Sequence, residues 1–221
     1  MKLDLKKLKL RKVNEKLQNF DRKQNDRNFT IINPQGNHAV CAGLTEEINI
    51  NVKGHVGYYC AGMNQKASVT IDGNVGTGVA ENMMSGKVHV KGNASQSAGA
   101  TAHGGLLIID GDASSRCGIS MKGVDIVVKG SVGHMSGFMS QSGNLVVCGD
   151  AGEALGDSLY ETNIYIGGEV KSLGADCIQK KMDKKHIKKL ELLLKEANIK
   201  NHKAESFKRY GSARKLYNFK I

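Results

Sequence analysis

Seven glycines recur at every nineteenth position, and this spacing constrains the fold more than any other feature of the sequence. No insertion or deletion interrupts the series, which comprises Gly54, Gly73, Gly92, Gly111, Gly130, Gly149 and Gly168. The surrounding sequence repeats with the same period, as in ININVKGHVG from Ile48 and VDIVVKGSVG from Val124. A period held through this many copies is typical of a solenoid, in which each copy packs only against its neighbours.

Aligned on these anchor glycines, the repeats show the alternation of a strand with one buried face. The positions two and four before the anchor hold only Val, Ile or Leu, and the position two after it holds Val or Ala, so apolar residues keep a period of two. The position seven after the anchor holds only small residues: Ala61, Ala80, Gly99, Gly118, Gly137, Gly156 and Ala175. This small column predicts an inside corner that is closed to larger side chains.

Short strands and glycine corners in every repeat predict an all-β fold, a right-handed parallel β-helix of about seven coils. The repeat has no LxxLxL frame and no helix-length amphipathic run, and its length is not a multiple of the period of six that a left-handed hexapeptide helix needs. With strands about 4.8 Å apart, seven coils form a rod on the order of 30 Å long. Its two ends would expose unpaired strand edges, so we expect covers there.

The charge distribution separates the solenoid from two basic ends. Residues 1–30 carry a net charge of +6, residues 31–178 one of −5 and residues 179–221 one of +10, which together give the +11 of the chain. We therefore expect a basic helical extension over 1–30, the β-helix over 31–178, and a C-terminal helix with a basic and aromatic tail over 179–221.

Amphipathic patterns indicate a helix at each end. The N-terminal segment has apolar residues with partly helical spacing: Leu3, Leu5, Leu8, Leu10, Val13, Leu17 and Phe20. In the C-terminal segment Asp183 fits the N-cap of a helix that runs to about Ile199. Its apolar side would consist of Ile187, Leu190, Leu194 and Ala197. Both helices are predicted to cover the ends of the solenoid.

The basic ends do not indicate a nucleic-acid or membrane partner. Of the 32 basic residues 26 are Lys, and the central solenoid is acidic, so no basic groove is expected. Asp4 and Glu15 interrupt the amphipathic N-terminus, which argues against a targeting peptide or membrane-surface helix. No stretch approaches the roughly 20 apolar residues of a spanning helix. The sequence predicts a cytoplasmic protein.

The cysteines and histidines do not form a metal-binding pattern. The five cysteines contain no CxxC motif: Cys41, Cys60, Cys117, Cys148 and Cys177. Cys60 and Cys117 share a column but lie three coils apart, about 14 Å of rise, which exceeds the reach of a disulfide. The histidines of the coils fall in four different columns: His55, His89, His103 and His134. We expect reduced thiols and no metal site.

The sequence contains no complete motif for catalysis or cofactor binding. Lys87 of the would-be phosphate loop is followed by Val88 and a strand, and Gly76-x-Gly78 is not completed by a third glycine or a helix. Carboxylates beside the glycines are typical of turns: Asp110, Asp112, Asp150 and Glu153. We therefore predict no catalytic residues and no cofactor bound by this chain.

The pattern G-x-x-G-x-x-x-G is complete in the coils that contain Gly130 and Gly149. It is similar to the repeat of the GXGXG family, the β-helical C-terminal domain of the glutamate synthase large subunit, which also has free-standing members such as the β-helical subunit of formylmethanofuran dehydrogenase. Other coils depart from it, with Ser95 and Ser114 for the second glycine and Lys171 in the last coil.

Longer blocks narrow the resemblance. They are GYYCAGMN from Gly57, ENMMSGKVHVKGNASQSAGAT from Glu81, GISMKGVDIVVKGSVGHMSGF from Gly118, DAGEALGDSLYE from Asp150, SLGADC from Ser172 and RYGSARKLY from Arg209. Over residues 29–219 the chain resembles the small β-helical subunit of the methylamine-glutamate N-methyltransferase, or N-methylglutamate synthase, type of complex.

The resemblance implies a division of labour among subunits. One partner would be a glutaminase or amidotransferase-like subunit, a second an FMN-binding glutamate synthase-like subunit, and this chain a non-catalytic docking body, inactive alone, in an enzyme that converts methylamine and L-glutamate to N-methylglutamate and ammonia. FMN would be bound by the partner. The alternatives are a scaffold in another oxidoreductase, such as a free-standing glutamate synthase domain or a protein like the β-helical subunit of formylmethanofuran dehydrogenase, and a stand-alone binding module. The sequence leaves open whether methylamine or ammonia is used.

One column predicts a docking surface. Three residues before the anchor the side chain should point outward, and the first three coils place Asn51, Thr70 and His89 there. The next four coils carry apolar residues instead: Ile108, Val127, Val146 and Tyr165. We expect these four to form an outward apolar stripe, which either the C-terminal helix or a partner subunit must cover.

Overall fold

Parallel strands stack at the interval that the glycines set. The computed structural model describes residues 1–214; residues 215–221, which include the end of the RYGSARKLY block and of the C-terminal segment, lie outside the described residues. The elements in chain order are β1 (Lys2–Asp4), α1 (Leu10–Gln18), β2 (Asn28–Ile32), β3 (Asn49–Lys53), β4 (Ser68–Ile71), β5 (Lys87–Val90), β6 (Leu106–Ile109), β7 (Lys122–Val128), β8 (Ser142–Val147), β9 (Asn163–Ile166), β10 (Cys177–Lys180), α2 (Lys184–Glu196) and β11 (Lys208–Ser212).

The eleven strands form one sheet in the order β1-β2-β3-β4-β5-β6-β7-β8-β9-β11-β10. From β3 to β9 each strand pairs in parallel with the next, and the partners are one repeat apart, as in Val69↔Val88 and Val88↔Leu107, except for a register shift at Lys122↔Ser142. Isolated parallel bridges continue the pairing past the anchor glycines, from Val56↔Val75 to Ala151↔Val170. The prediction of a parallel β-helix with about seven regular coils is confirmed.

The core follows the strand alternation. Two rows of β-branched and leucine side chains, at two and four residues before the anchors, are almost fully buried inside the coils. Each such side chain contributes about 1.5–3 kcal/mol relative to exposure, so stacking neighbouring coils is the main source of stability.

The far side of each of the first six regular coils turns through three residues with left-handed backbone. In the fourth coil these are Arg116 (φ 59°), Gly118 (φ 70°) and Ser120 (φ 52°). The N–H of Gly118 donates to the preceding coil, to Ala98 O at 2.8 Å, whereas the other two N–H groups donate to the following coil. The middle residue also points inward, so the small column requires both a left-handed φ and little volume. Ala175 is exposed, however, because the chain leaves the last coil there to enter β10.

The N-terminal segment covers the first coil and also extends the sheet. The helix predicted there exists as α1, with Val13 and Leu17 buried. Leu3, which the helical pattern included, lies instead in β1, which pairs in parallel with β2. The step from β2 to β3, Asn28↔Asn49, is longer than the regular repeat, so an irregular coil precedes the seven that the glycines mark.

An antiparallel pair ends the stack at the other end. Strand β11 inserts between β9 and β10 and pairs antiparallel with both. Helix α2 follows Asp183 as predicted and ends at Glu196, short of Ile199. It packs against side chains of β6 to β9 on the outer face of the coils, so the prediction that it covers the end of the solenoid is wrong. The antiparallel strands occupy that end instead. Within residues 1–214 neither helix has the length and apolar character needed to cross a bilayer.

Candidate functional site: the outer surface of the solenoid

The residue after each anchor glycine belongs to a hydrogen-bonded ladder. Its side chain accepts a hydrogen bond from the backbone N–H of the equivalent residue in the next coil, at 2.8–2.9 Å. The acceptors of this polar ladder are His55, Asn74, Asn93, Asp112, Ser131 and Asp150. Two carboxylates that the sequence assigned to turns, Asp112 and Asp150, therefore hold neighbouring coils together.

The polar ladder explains the glycine at four of the seven anchors. A Cβ added to Gly92, Gly111, Gly130 or Gly168 would collide with the ladder oxygen of the preceding coil. These four have no positive φ, so close approach of the side chain, rather than backbone freedom, excludes larger residues. The structural repeat therefore has an architectural role.

A second ladder carries alternating charge. The column one residue before the anchor reads Lys53, Asp72, Lys91, Asp110 and Lys129 over five coils. Asp72 pairs with both neighbouring lysines, with 2.9 Å to Lys91 Nζ, and Asp110 Oδ1 lies 2.7 Å from Lys129 Nζ and 2.9 Å from His89 Nε2. Hydrogen bonds from Lys53 and then Lys91 lower the pKa of Asp72.

Helix α2 lies on the apolar stripe. The four side chains of the stripe are at most 1% exposed: Ile108, Val127, Val146 and Tyr165. They form one cluster with the buried side of α2, chiefly Leu190, Leu193 and Leu194, and with Phe207 of the following segment. Lys189 Nζ, 2.8 Å from Asp125 Oδ2, ties the middle of the helix to β7.

The prediction that this stripe is a docking surface for a partner is therefore corrected. Of the two covers left open by the sequence, the structure has the C-terminal helix in place, and the stripe is an internal seam. The cause is tertiary: α2 carries its own apolar side, and 13 residues at about 1.5 Å each span roughly the width of four strands.

The part of the same face that α2 leaves uncovered is polar. Asn51, Thr70 and His89 point outward there, as predicted, and each is only partly buried. With residues of β2 and β3 they line a shallow depression of about 410 Å³. The boundary between polar and apolar residues in this column thus matches the end of the helix.

An aromatic patch lies on the far side of the first regular coil, at the turn with left-handed backbone. Tyr58, Tyr59 and Met63 are 51%, 50% and 55% exposed. His38 stacks on Tyr58 with ring centroids 4.5 Å apart, and Tyr59 meets Tyr58 edge to face at 6.4 Å. In the sequence these residues stood out only as part of a resemblance. Their position four, five and nine residues after the anchor, beside the inward small column, is the signal that would have revealed them.

The thiols are buried within the fold. All five cysteines are free and buried, and burial raises the pKa of Cys60 and of Cys117 to about 12. Across residues 1–214 no group of three or more His, Cys, Asp or Glu side chains comes together in a way that could hold a metal ion.

These features define a β-helical solenoid protein with a self-covered apolar seam and an exposed aromatic patch. The chain is 59% identical over 219 residues to Protein GlxC of Rhizobium meliloti (strain 1021), an alignment that spans 99% of this chain and 96% of that protein. The chain therefore belongs to the GlxC family. No model of a known protein family matches it, so the similarity to the GXGXG repeat rests on the motifs quoted above.

Proposed function

We propose that this chain is the non-catalytic docking subunit of a glutamate synthase-like, FMN-dependent complex, and specifically of an N-methylglutamate synthase. The observation that carries the docking role is the aromatic patch. Large, half-exposed Tyr and Met side chains clustered on one coil are costly to leave in water and are typical of the centre of protein interfaces.

The support for this surface is rigid. Tyr59 and Met63 have left-handed backbone, and their N–H groups donate to Thr77 O at 2.8 Å and Glu81 O at 2.7 Å in the next coil. Between them Ala61 donates back to Val40 O at 2.9 Å. Because the patch is fixed on both sides before binding, little conformational entropy is lost when a partner docks.

The proposed reaction exchanges the amino group of glutamate. Methylamine and L-glutamate give N-methylglutamate and ammonia, with the ammonia-handling step on a glutaminase-like subunit and the flavin step on an FMN-binding synthase-like subunit. The solenoid would hold these two at a fixed distance. The block GYYCAGMN, one of those on which the resemblance rests, builds the aromatic patch, and we assign that patch to the FMN-binding subunit.

Reconstitution of the three chains tests this function. The purified solenoid should be colourless and inactive with methylamine and glutamate, and turnover should require the FMN-binding partner and rise when the solenoid is added. Tyr58→Ser combined with Tyr59→Ser should abolish co-elution with that partner without changing the melting temperature of the solenoid. Leu192→Ser is the control, because Leu192 is 51% exposed on α2, away from the patch.

Two outcomes would contradict the proposal at different levels. If the solenoid stimulates synthesis of glutamate from ammonia but not of N-methylglutamate, the methylamine assignment is wrong and the glutamate synthase-like role remains. If the solenoid neither binds the FMN-containing chain nor changes its rate, the docking role is wrong.

A further inference from the structure

A basic depression of about 480 Å³ lies at the C-terminal end of the solenoid. It is enclosed by the residues that lead into β9, by the first turn of α2 and by the end of β11. It is separate from the aromatic patch, which belongs to the first regular coil, and from the seam under α2. Its volume falls in the range of about 300–1,000 Å³ that is usual for small-molecule sites.

Positive charge predominates in its lining. Four basic and two acidic side chains contribute: Lys180, Lys185, Arg209, Arg214, Glu161 and Asp183. The guanidinium of Arg209 is fixed in place, since its Nε donates to Lys181 O and its Nη1 to Asn163 Oδ1, both at 2.9 Å. A guanidinium has five N–H donors, and among the described residues Arg209 uses only these two groups in hydrogen bonds. A guanidinium held in this way is pre-organised for an oxyanion.

Two buried polar atoms of the lining residues have no hydrogen-bond partner in the part of the chain that the structure describes. Thr162 is only 2% exposed, and neither its Oγ1 nor Nδ1 of His186 has a hydrogen-bond partner among the described residues. A buried hydroxyl without a partner costs about 1–3 kcal/mol. The pKa of His186 is lowered, by burial first and then by the charge of Arg209, which favours a neutral ring. Both residues line the depression, and their unpartnered atoms are suited to hydrogen-bond a ligand.

The helix end adds a third contribution. Asp183, the N-cap of α2, makes no capping hydrogen bond through its side chain, so that side chain does not satisfy the N–H groups of the first turn. A helix N-terminus carries partial positive charge and favours an anion. Here it faces the same depression as Arg209 and Thr162.

We propose that this depression binds a small metabolite through a phosphate or carboxylate group, which Arg209, Lys185 and the Thr162 hydroxyl hold at the N-terminus of α2. Nothing in this assignment depends on the proposed function of the complex. The site would place an anionic ligand beside the helix that covers the apolar seam, so its occupancy should stabilise the docked position of α2.

Calorimetric titration of the purified full chain with orthophosphate and, separately, with succinate tests the site and identifies the chemistry. Saturable binding of one anion, with a rise in melting temperature over chloride at equal ionic strength, is the expected result. Binding of orthophosphate alone indicates a phosphate ligand, and binding of succinate alone a carboxylate. Failure of both to bind would overturn the proposal.

Variants distinguish a specific anion site from general electrostatic attraction of anions to the basic surface. Lys185→Gln should weaken binding roughly tenfold, as expected for loss of one charged contact. Lys184→Gln is the matched control, because Lys184 is the neighbouring residue of the same helix turn and does not line the depression. Equal weakening by both variants would mean general electrostatic attraction and would overturn the site.

Thr162→Val provides a readout that does not depend on charge. The valine has nearly the same shape and removes the unpartnered hydroxyl, so the melting temperature of the ligand-free chain should stay equal or rise. Anion affinity should nevertheless fall. Unchanged affinity in this variant would show that the hydroxyl does not contact the ligand, and the proposed geometry would be wrong.

Discussion

Asn93 Oδ1 accepts a hydrogen bond of 2.9 Å from the backbone N–H of Asp112, one coil further along the chain. Gly111 immediately precedes Asp112, and a Cβ on Gly111 would occupy the place of that oxygen. The anchor glycine and the polar ladder are thus parts of one arrangement. The ladder side chain reaches the next coil at its anchor glycine, which has no side chain, and this arrangement repeats from coil to coil.

Gly111→Ala should therefore lower the free energy of unfolding by about 1–3 kcal/mol, the usual cost of overpacking. Denaturant unfolding followed by circular dichroism measures it. In an Asn93→Ala background the colliding oxygen is gone, so the same substitution should cost less, with a coupling of about 0.5–3 kcal/mol in the double-mutant cycle. Simple additivity of the two changes would show that they do not act on one contact.

Gly118→Val tests the small column. A Cβ there would lie 3.1 Å from Met121 Sδ and 3.4 Å from Ile126 Cδ1, and the backbone has φ +70°. Side chains beneath the corner, rather than the glycines of the neighbouring coils, are the nearest groups. Left-handed backbone costs a non-glycine residue about 1–2 kcal/mol, and overpacking adds about 1–3 kcal/mol. The melting temperature should fall accordingly.

Arg116→Val is the matched control for that substitution. Arg116 shares the left-handed backbone, with φ 59°, but its side chain is exposed. Arg116→Val therefore measures what a β-branched residue costs on left-handed backbone without the cost of packing it inside the coil. If Gly118→Val loses no more stability than Arg116→Val, the inward position of Gly118 does not limit the volume of the side chain.

The regular coils were predictable because their contacts repeat. Each coil packs against neighbours one repeat away, so one alignment on the glycines gives register, core columns and number of coils together. The irregular first coil was not predicted, because its step to β3 is longer than the repeat and its turn contains Pro34. Strand β11 was not predicted either. It pairs with β9, as in Lys208↔Ile166, across a long stretch of chain that contains no repeat to indicate the pairing.

For the candidate surfaces, too, local patterns were predictable and contacts between distant parts of the chain were not. The change from Thr70 to Ile108 within one column marked the apolar stripe in the sequence, but what lies on it depends on where α2 docks, which no local pattern states. The aromatic patch went unrecognised because Tyr59 and Met63 fall between strands, where a period of two no longer tells which side chains point outward.

The seam predicts that Val127→Lys combined with Val146→Lys destabilises the isolated chain. Both side chains are fully buried against α2, so each lysine would place an unpaired charge in an apolar cluster or displace the helix. Thermal unfolding should begin several degrees lower, and amide hydrogen exchange in 184–196 should accelerate. Thr70→Lys, in the same column beyond the helix, should change the free energy of unfolding by no more than about 0.5 kcal/mol. Wild-type exchange in the double variant would contradict the docked position of α2.

The charged ladder predicts a specific loss of stability in acid. The pKa of Asp72 lies below its ordinary value of 3.8 because Lys53, and then Lys91, donate hydrogen bonds to the carboxylate. Since the folded state binds this proton more weakly than the unfolded chain does, the ladder contributes its full stability above 3.8 and loses it as the pH falls through the lower, folded pKa. Urea unfolding at a series of pH values should therefore show stability falling at acid pH in the wild type.

Asp72→Asn should be less stable than the wild type at neutral pH, because the amide cannot form the two ion pairs. Its stability should fall less steeply in acid, because no proton is taken up at this position. Lys91→Gln removes one donor and should give an intermediate slope. An acid limb in Asp72→Asn as steep as that of the wild type would mean that other carboxylates account for the acid sensitivity, and that the alternating charges of this column are solvated rather than coupled.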